Sequence, residues 1–125
     1  MVQTEERKKI LVAEDNASNY KLIQFILSKS YDIIHAENGK IAVDMYSQHQ
    51  PDLVLMDISM PVMDGYEATT EIRKLSATVP IIGLTAYAYN TDREKGFKCG
   101  MNDYMTKPIV ANSLRTAVSK MLSGV

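Results

Sequence analysis

LVLMDISMPVMDG, residues 53–65, is the stretch from which the rest of the chain is best understood. It opens with four consecutive apolar residues, too few for a helix and without the alternation of a strand that has one wet face. A strand covered on both sides has this pattern. The run ends in an acid, Asp57, and Pro61 with the Asp64–Gly65 pair shapes a turn before the next segment. Working outward, similar β-rich runs lie at 10–13, 31–36, 79–84 and 103–106. Helix-length segments separate them. Leu22, Ile23, Ile26 and Leu27 form one apolar stripe, and Leu114, Ala117, Val118, Met121 and Leu122 another. Weaker stripes come from Ala42, Val43 and Tyr46, and from Ala68, Ile72 and Leu75. A fourth helix, around Asn90–Cys99, has the least pattern. Asn16 or Ser18, Asn38 and Asn112 are candidate N-caps, and Gly100 a left-handed helix end. Strict strand–helix alternation predicts an α/β fold, a parallel sheet with helices on both faces.

At 125 residues the chain is sized for one domain with a real core. Fourteen Lys and Arg against 15 Asp and Glu give a net charge of −1, which excludes nucleic-acid binding by bulk charge. Cys99 is the lone cysteine, so an internal disulfide or a zinc-stapled scaffold is excluded. The N-terminus MVQTEERKKI carries charges where a signal peptide needs apolar residues, and no apolar run nears the ~18 residues of a membrane span. The reading is a cytoplasmic domain with no membrane insertion. The last helix is expected to run nearly to the C-terminus, and no output domain is expected within these residues.

In a doubly wound sheet, ligands bind at the carboxyl ends of the strands. The residues just after the runs are therefore the informative ones: Glu14 and Asp15 after the first, Asp57 after the third, Thr85 after the fourth, Lys107 and Pro108 after the fifth. Each close pair of carboxylates repels by roughly 4 kcal/mol at an intermediate dielectric, so a cation must offset them. A small site of carboxylate and carbonyl oxygens suits Mg²⁺. Lys107 adds a fixed positive charge, and the Thr85 hydroxyl can donate to an anionic oxygen. The set fits a phosphoryl group, with Asp57 as the best nucleophile. The backbone carbonyl of Ser59 is near enough in sequence to turn back towards a metal at Asp57.

Four motifs, VAEDN, LVLMDISMPVMDG, IIGLTA and GMNDYMTKP, occur in this order at strand ends, and with them the chain resembles the receiver domains of two-component response regulators over nearly its whole length. The resemblance implies a flavodoxin-like (βα)5 sandwich with a five-stranded sheet of order 2-1-3-4-5, the receiver covering residues 8–123 and a linker or frayed end residues 1–7. It implies that Asp57 accepts a phosphoryl group from phosphohistidine. Mg²⁺ would be held by Asp15, Asp57 and the Ser59 carbonyl, with Glu14 acting mostly through water. Lys107 would contact the phosphoryl oxygens, and Thr85 would move to hydrogen-bond them. Tyr104 holds the aromatic switch position and would turn inward once Thr85 moves, changing the surface of the last helices and strand (α4-β5-α5 in the family). The Lys107–Pro108 peptide is typically cis in this family. Ser59 and Tyr87 flank the acceptor and bear on phosphoryl lifetime. Glu14 stands where the family more often has Asp. The partners implied are a histidine kinase or a histidine phosphotransfer domain, with a downstream effector or a fused kinase core. The wording of VAEDNASN and MDISMPVMDG is nearest to receivers of hybrid histidine kinases.

Other readings fit less well. A Mg²⁺-dependent phosphohydrolase with an aspartate nucleophile would place a second Asp where Ser59 stands. A flavin module would need a glycine- and hydroxyl-rich loop where the acidic EDN segment lies, and that segment repels phosphate. Met56, Met60, Met63, Met101, Met105 and Cys99 read as packing, and His35 and His49 as surface or satisfied residues. The resemblance implies a phosphoacceptor with weak self-directed phosphotransfer and dephosphorylation, and not a metabolic enzyme.

Overall fold

A computed structural model of the chain describes residues 7–86 and 90–123. The linker or frayed end expected at 1–7 therefore lies, apart from Arg7, outside the described residues. Five parallel strands, β1 (Lys9–Ala13), β2 (Asp32–Ala36), β3 (Leu53–Asp57), β4 (Ile81–Thr85) and β5 (Asp103–Thr106), form one sheet in the order β2-β1-β3-β4-β5. They alternate with α1 (Ala17–Leu27), α2 (Gly39–His49), α3 (Gly65–Leu75), α4 (Asn90–Cys99) and α5 (Ala111–Ser123). No helix among the described residues is long and apolar enough to cross a membrane.

The unbroken apolar runs follow from burial on both faces. Leu11, Ala13, Val54, Met56 and Ile81 pack against Ala42 and Tyr46 of α2 and Ala68 and Ile72 of α3. Their neighbours Ile10, Val12, Leu53, Leu55, Ile82 and Leu84 pack on the other face against Ile23, Ile26 and Leu27 of α1 and Leu114 and Val118 of α5. Met56, Met101, Met60, Met63 and Met105 belong to or pack on these two cores, as expected for adaptable filler. Leu22 departs from its expected stripe and is 41% exposed. It lies about 100° around the helix from Ile23, off the buried face. β4 starts at Ile81 rather than at 79, since Pro80 has no N–H for the ladder.

Asn16 caps α1 by accepting from the Asn19 N–H at 2.9 Å, and Asn38 caps α2 through the Ile41 N–H at 2.9 Å. Asn112 does not cap α5. The first helical bond runs from the Leu114 N–H to the Val110 carbonyl, so Asn112 lies inside the first turn. Gly100 ends α4 with φ +115°, and the Met101 N–H donates to the Gly96 carbonyl at 2.9 Å. Arg73 of α3 holds this end, donating to the Gly100 carbonyl through Nε at 2.9 Å and Nη2 at 2.7 Å.

The sheet order reverses direction between β1 and β3, the position where such folds bind ligands. There the register pairs Ala13 with Met56, so Glu14 and Asp57 leave the sheet side by side.

Candidate functional site

Carboxylate oxygens of Glu14, Asp15 and Asp57 lie within 4.8 Å of one another at this rim. Glu14 is fully buried, Asp57 is 4% exposed, and Asp15 faces solvent. Lys107, from the end of β5, places its Nζ 3.1 Å from Asp57 Oδ2 and 3.0 Å from Glu14 Oε1. Its backbone is set by the neighbouring strand, the Lys107 N–H donating to the Thr85 carbonyl at 2.7 Å. The Lys107–Pro108 peptide is cis. The other oxygen of Asp57, Oδ1, accepts from the Ser59 N–H at 3.2 Å, and Glu14 Oε2 accepts from the Asn16 N–H at 3.2 Å.

Close packing of the next helix makes this loop possible. A Cβ on Gly65 would come within 2.3 Å of the Asp57 carbonyl oxygen, so only glycine lets α3 start this close to β3. Asp64 caps α3 by accepting from the Glu67 N–H at 2.9 Å, a role beyond the turn expected of it. The cleft in front of the acids has a volume of about 540 Å³ and is lined by Asp15, Ser59, Met60, Asp64, Tyr66 and Thr85, among others.

Burial, reinforced by the adjacent Asp57 carboxyl, pushes Glu14 up to about 7 against the pull of Lys107. Burial lowers the Lys107 pKa, but Glu14 and Asp57 together outweigh it and the ammonium ends above its ordinary value. Glu14 Oε1 is buried with no hydrogen-bond partner among the described residues; the ammonium at 3.0 Å meets it as a charge. Three carboxylates and one ammonium leave an excess of negative charge. A hard divalent cation is the natural complement.

Thr85 ends β4 and is 6% exposed. Tyr104 lies on β5, the strand next to that of Thr85. It pairs in register with Gly83, is half-buried, and lies edge-to-face on Phe97 with ring centroids 5.8 Å apart. Its hydroxyl is 3.4 Å from that of Tyr66, and a Cβ on Gly96 would collide with its ring. Lys95 in turn sits over the Tyr66 ring at 4.5 Å. Tyr66 is a residue that sequence reasoning missed, because it enters from the side of α3 and follows no strand. Tyr87 lies outside the described residues.

Residues 10–119 match the family model of the response regulator receiver domain. The chain belongs to this family. The receiver is 46% identical to part of hybrid signal transduction histidine kinase I of Dictyostelium discoideum, over 82% of this chain and 6% of that protein. It is 39% identical to chemotaxis protein CheY of Halobacterium salinarum, over 93% of this chain and 98% of CheY. The receiver thus spans a small part of one relative and nearly the whole of the other. Among solved structures, the receiver domain of the sensor histidine kinase PA1611 from Pseudomonas aeruginosa superposes with a TM-score of 0.88 at 37% identity. The match covers 94% of this chain and 99% of that one, which has a magnesium ion coordinated in its active site cleft. A receiver is a phosphoacceptor switch of two-component signalling or of a phosphorelay, and that is the function of this domain.

Proposed function

We propose that Asp57 is the phosphoacceptor and that Glu14, Asp15, Lys107 and Thr85 make its reaction possible. The observation that carries this is the ammonium of Lys107 within 3.1 Å of Asp57 and 3.0 Å of Glu14, beside a third carboxylate. A carboxylate oxygen of Asp57 bonds to phosphorus as the P–N bond to the donor imidazole breaks. The bonding pair returns to the imidazole nitrogen, which takes up a proton. Asp57 is held for attack from two sides, Oδ1 by the Ser59 N–H and Oδ2 by Lys107. Lys107 then serves the incoming phosphoryl oxygens, and the Thr85 hydroxyl, on the adjacent strand, donates to one of them.

The excess negative charge and the hard oxygen donors fit Mg²⁺, and the magnesium in the PA1611 receiver supports that reading. Asp15, Asp57 and the Ser59 carbonyl would hold it directly and Glu14 through water. Bound there, Mg²⁺ offsets the repulsion between the carboxylates and a phosphoryl group. Thr85 movement draws Tyr104 inward and alters the α4–β5–α5 surface, so a partner that prefers one state reads the change. The donor would be a histidine kinase or a histidine phosphotransfer domain, and the unit covering 8–123 would work in the cytoplasm, alone or fused to a kinase core. Its catalysis is limited to its own phosphorylation and dephosphorylation.

Beryllofluoride, a phosphoryl mimic, tests this. Fluorine NMR should detect one equivalent bound in the presence of Mg²⁺ and none for Asp57→Asn. Equal binding by Asp57→Asn would overturn the assignment.

A further inference from the structure

We infer that His35, backed by Tyr20, is a positioning residue for the acidic pair at the tip of β1. The inference rests on the metal-binding reading above. His35 lies on β2 opposite Val12, and its Nε2 reaches the Glu14 carbonyl oxygen at 2.8 Å. A carbonyl only accepts, so Nε2 carries the proton and donates. The Glu14 N–H meanwhile donates to the Ala36 carbonyl at 3.0 Å. Both backbone polar groups of Glu14 are therefore tied to β2, one by the strand ladder and one by a side chain reaching past its end.

The carbonyl of Glu14 and the N–H of Asp15 share one planar peptide. Fixing that oxygen sets the direction in which the chain leaves the buried Glu14 for the exposed Asp15, and so the spacing of the two carboxylates. The imidazole is fixed in its turn. It stacks on Tyr20 with ring centroids 3.6 Å apart and planes 10° from parallel. Tyr20 belongs to the first turn of α1, where its N–H donates to the Asn16 carbonyl at 3.0 Å. The residues on either side of the acidic tip thus hold it in place before any metal arrives. The imidazole donor is thus used on the peptide that joins the two acids.

Glutamine places an amide N–H where the His35 Nε2–H stands, whereas asparagine is one methylene too short to reach. The test is Mg²⁺ titration of the full chain, followed by the amide resonances of Asp15 and Asn16. His35→Gln is expected to bind within about twofold of wild type, and His35→Asn about fivefold or more weakly, the scale of one preorganising hydrogen bond. In metal-free protein only His35→Asn should shift the Asp15 amide. Wild-type binding with His35→Asn unchanged, or equal losses in both variants, would overturn the inference alone. Failure of wild type to bind Mg²⁺ would overturn the reading of the site and the inference with it.

Discussion

Glu14 shows how burial and charge act together on one side chain. Its carboxyl is raised to about 7 by burial and by Asp57, so the native state holds a proton that the unfolded chain has released. Between about pH 4.5 and 7 the unfolded state binds fewer protons, and stability falls as pH rises. Urea unfolding in chelator is expected to give a protein on the order of 2 kcal/mol less stable at pH 8 than at pH 5 from this group, and Glu14→Gln should remove most of that difference. Lys107 adds no titration of its own between these two pH values. Its raised pKa keeps it charged at both pH values, and the Glu14 carboxyl it faces is ionised at pH 8 and protonated at pH 5. Lys107→Met should therefore cost roughly 3 kcal/mol at pH 8, as expected for breaking a buried ion pair, and clearly less at pH 5. Glu14, Asp57, Thr85 and Lys107 were legible in the sequence because each ends or follows an apolar run, and parallel strands bring such ends to one rim. His35 and Tyr66 were not, since they reach the site laterally from β2 and α3.

Among the secondary-structure elements, α3 is the one whose start is most tightly specified. Asp64 caps it, and Gly65 lets it approach the Asp57 backbone. Asp64→Ala is expected to lose about 1 kcal/mol in urea unfolding, whereas Asn112→Ala, inside the first turn of α5, should lose less than about 0.5 kcal/mol. Equal losses would mean that the capping assignments are wrong. Asn16 and Asn38 were readable as caps because each directly precedes its helix. Asn112 misled because Val110, which has no capping side chain, takes the first helical bond at the start of α5. The weak pattern of α4 also has a physical cause: it meets the sheet through Gly96, which leaves room for the Tyr104 ring, while Phe97 remains 46% exposed. Glycine carries no periodic signal, although Gly100 marked where the helix stops.

For the molecule as a whole, strand–helix alternation dictates a parallel sheet but does not say which strands are neighbours. The order β2-β1-β3-β4-β5 came from the family motifs and agrees with the structure. That order matters for function, since it sets β1 beside β3, joining the acids, and β4 beside β5, joining Thr85 to Lys107 and Tyr104. On the proposed mechanism, a charge arriving at Asp57 would thereby be linked to one side of the sheet. Amide shifts on beryllofluoride binding should concentrate in β4, α4, β5 and α5 and stay small in α2, and Tyr104→Ala should shrink those in α4. Uniform shifts would contradict a switch confined to that face.

The most direct measurement is intact-mass and peptide mass spectrometry after incubation with acetyl phosphate. With Mg²⁺ the chain should gain a single phosphoryl group, carried by the peptide containing Asp57, and chelator or Asp57→Asn should abolish it. Undiminished phosphorylation in chelator, or a phosphoryl group on any other residue, would contradict the account.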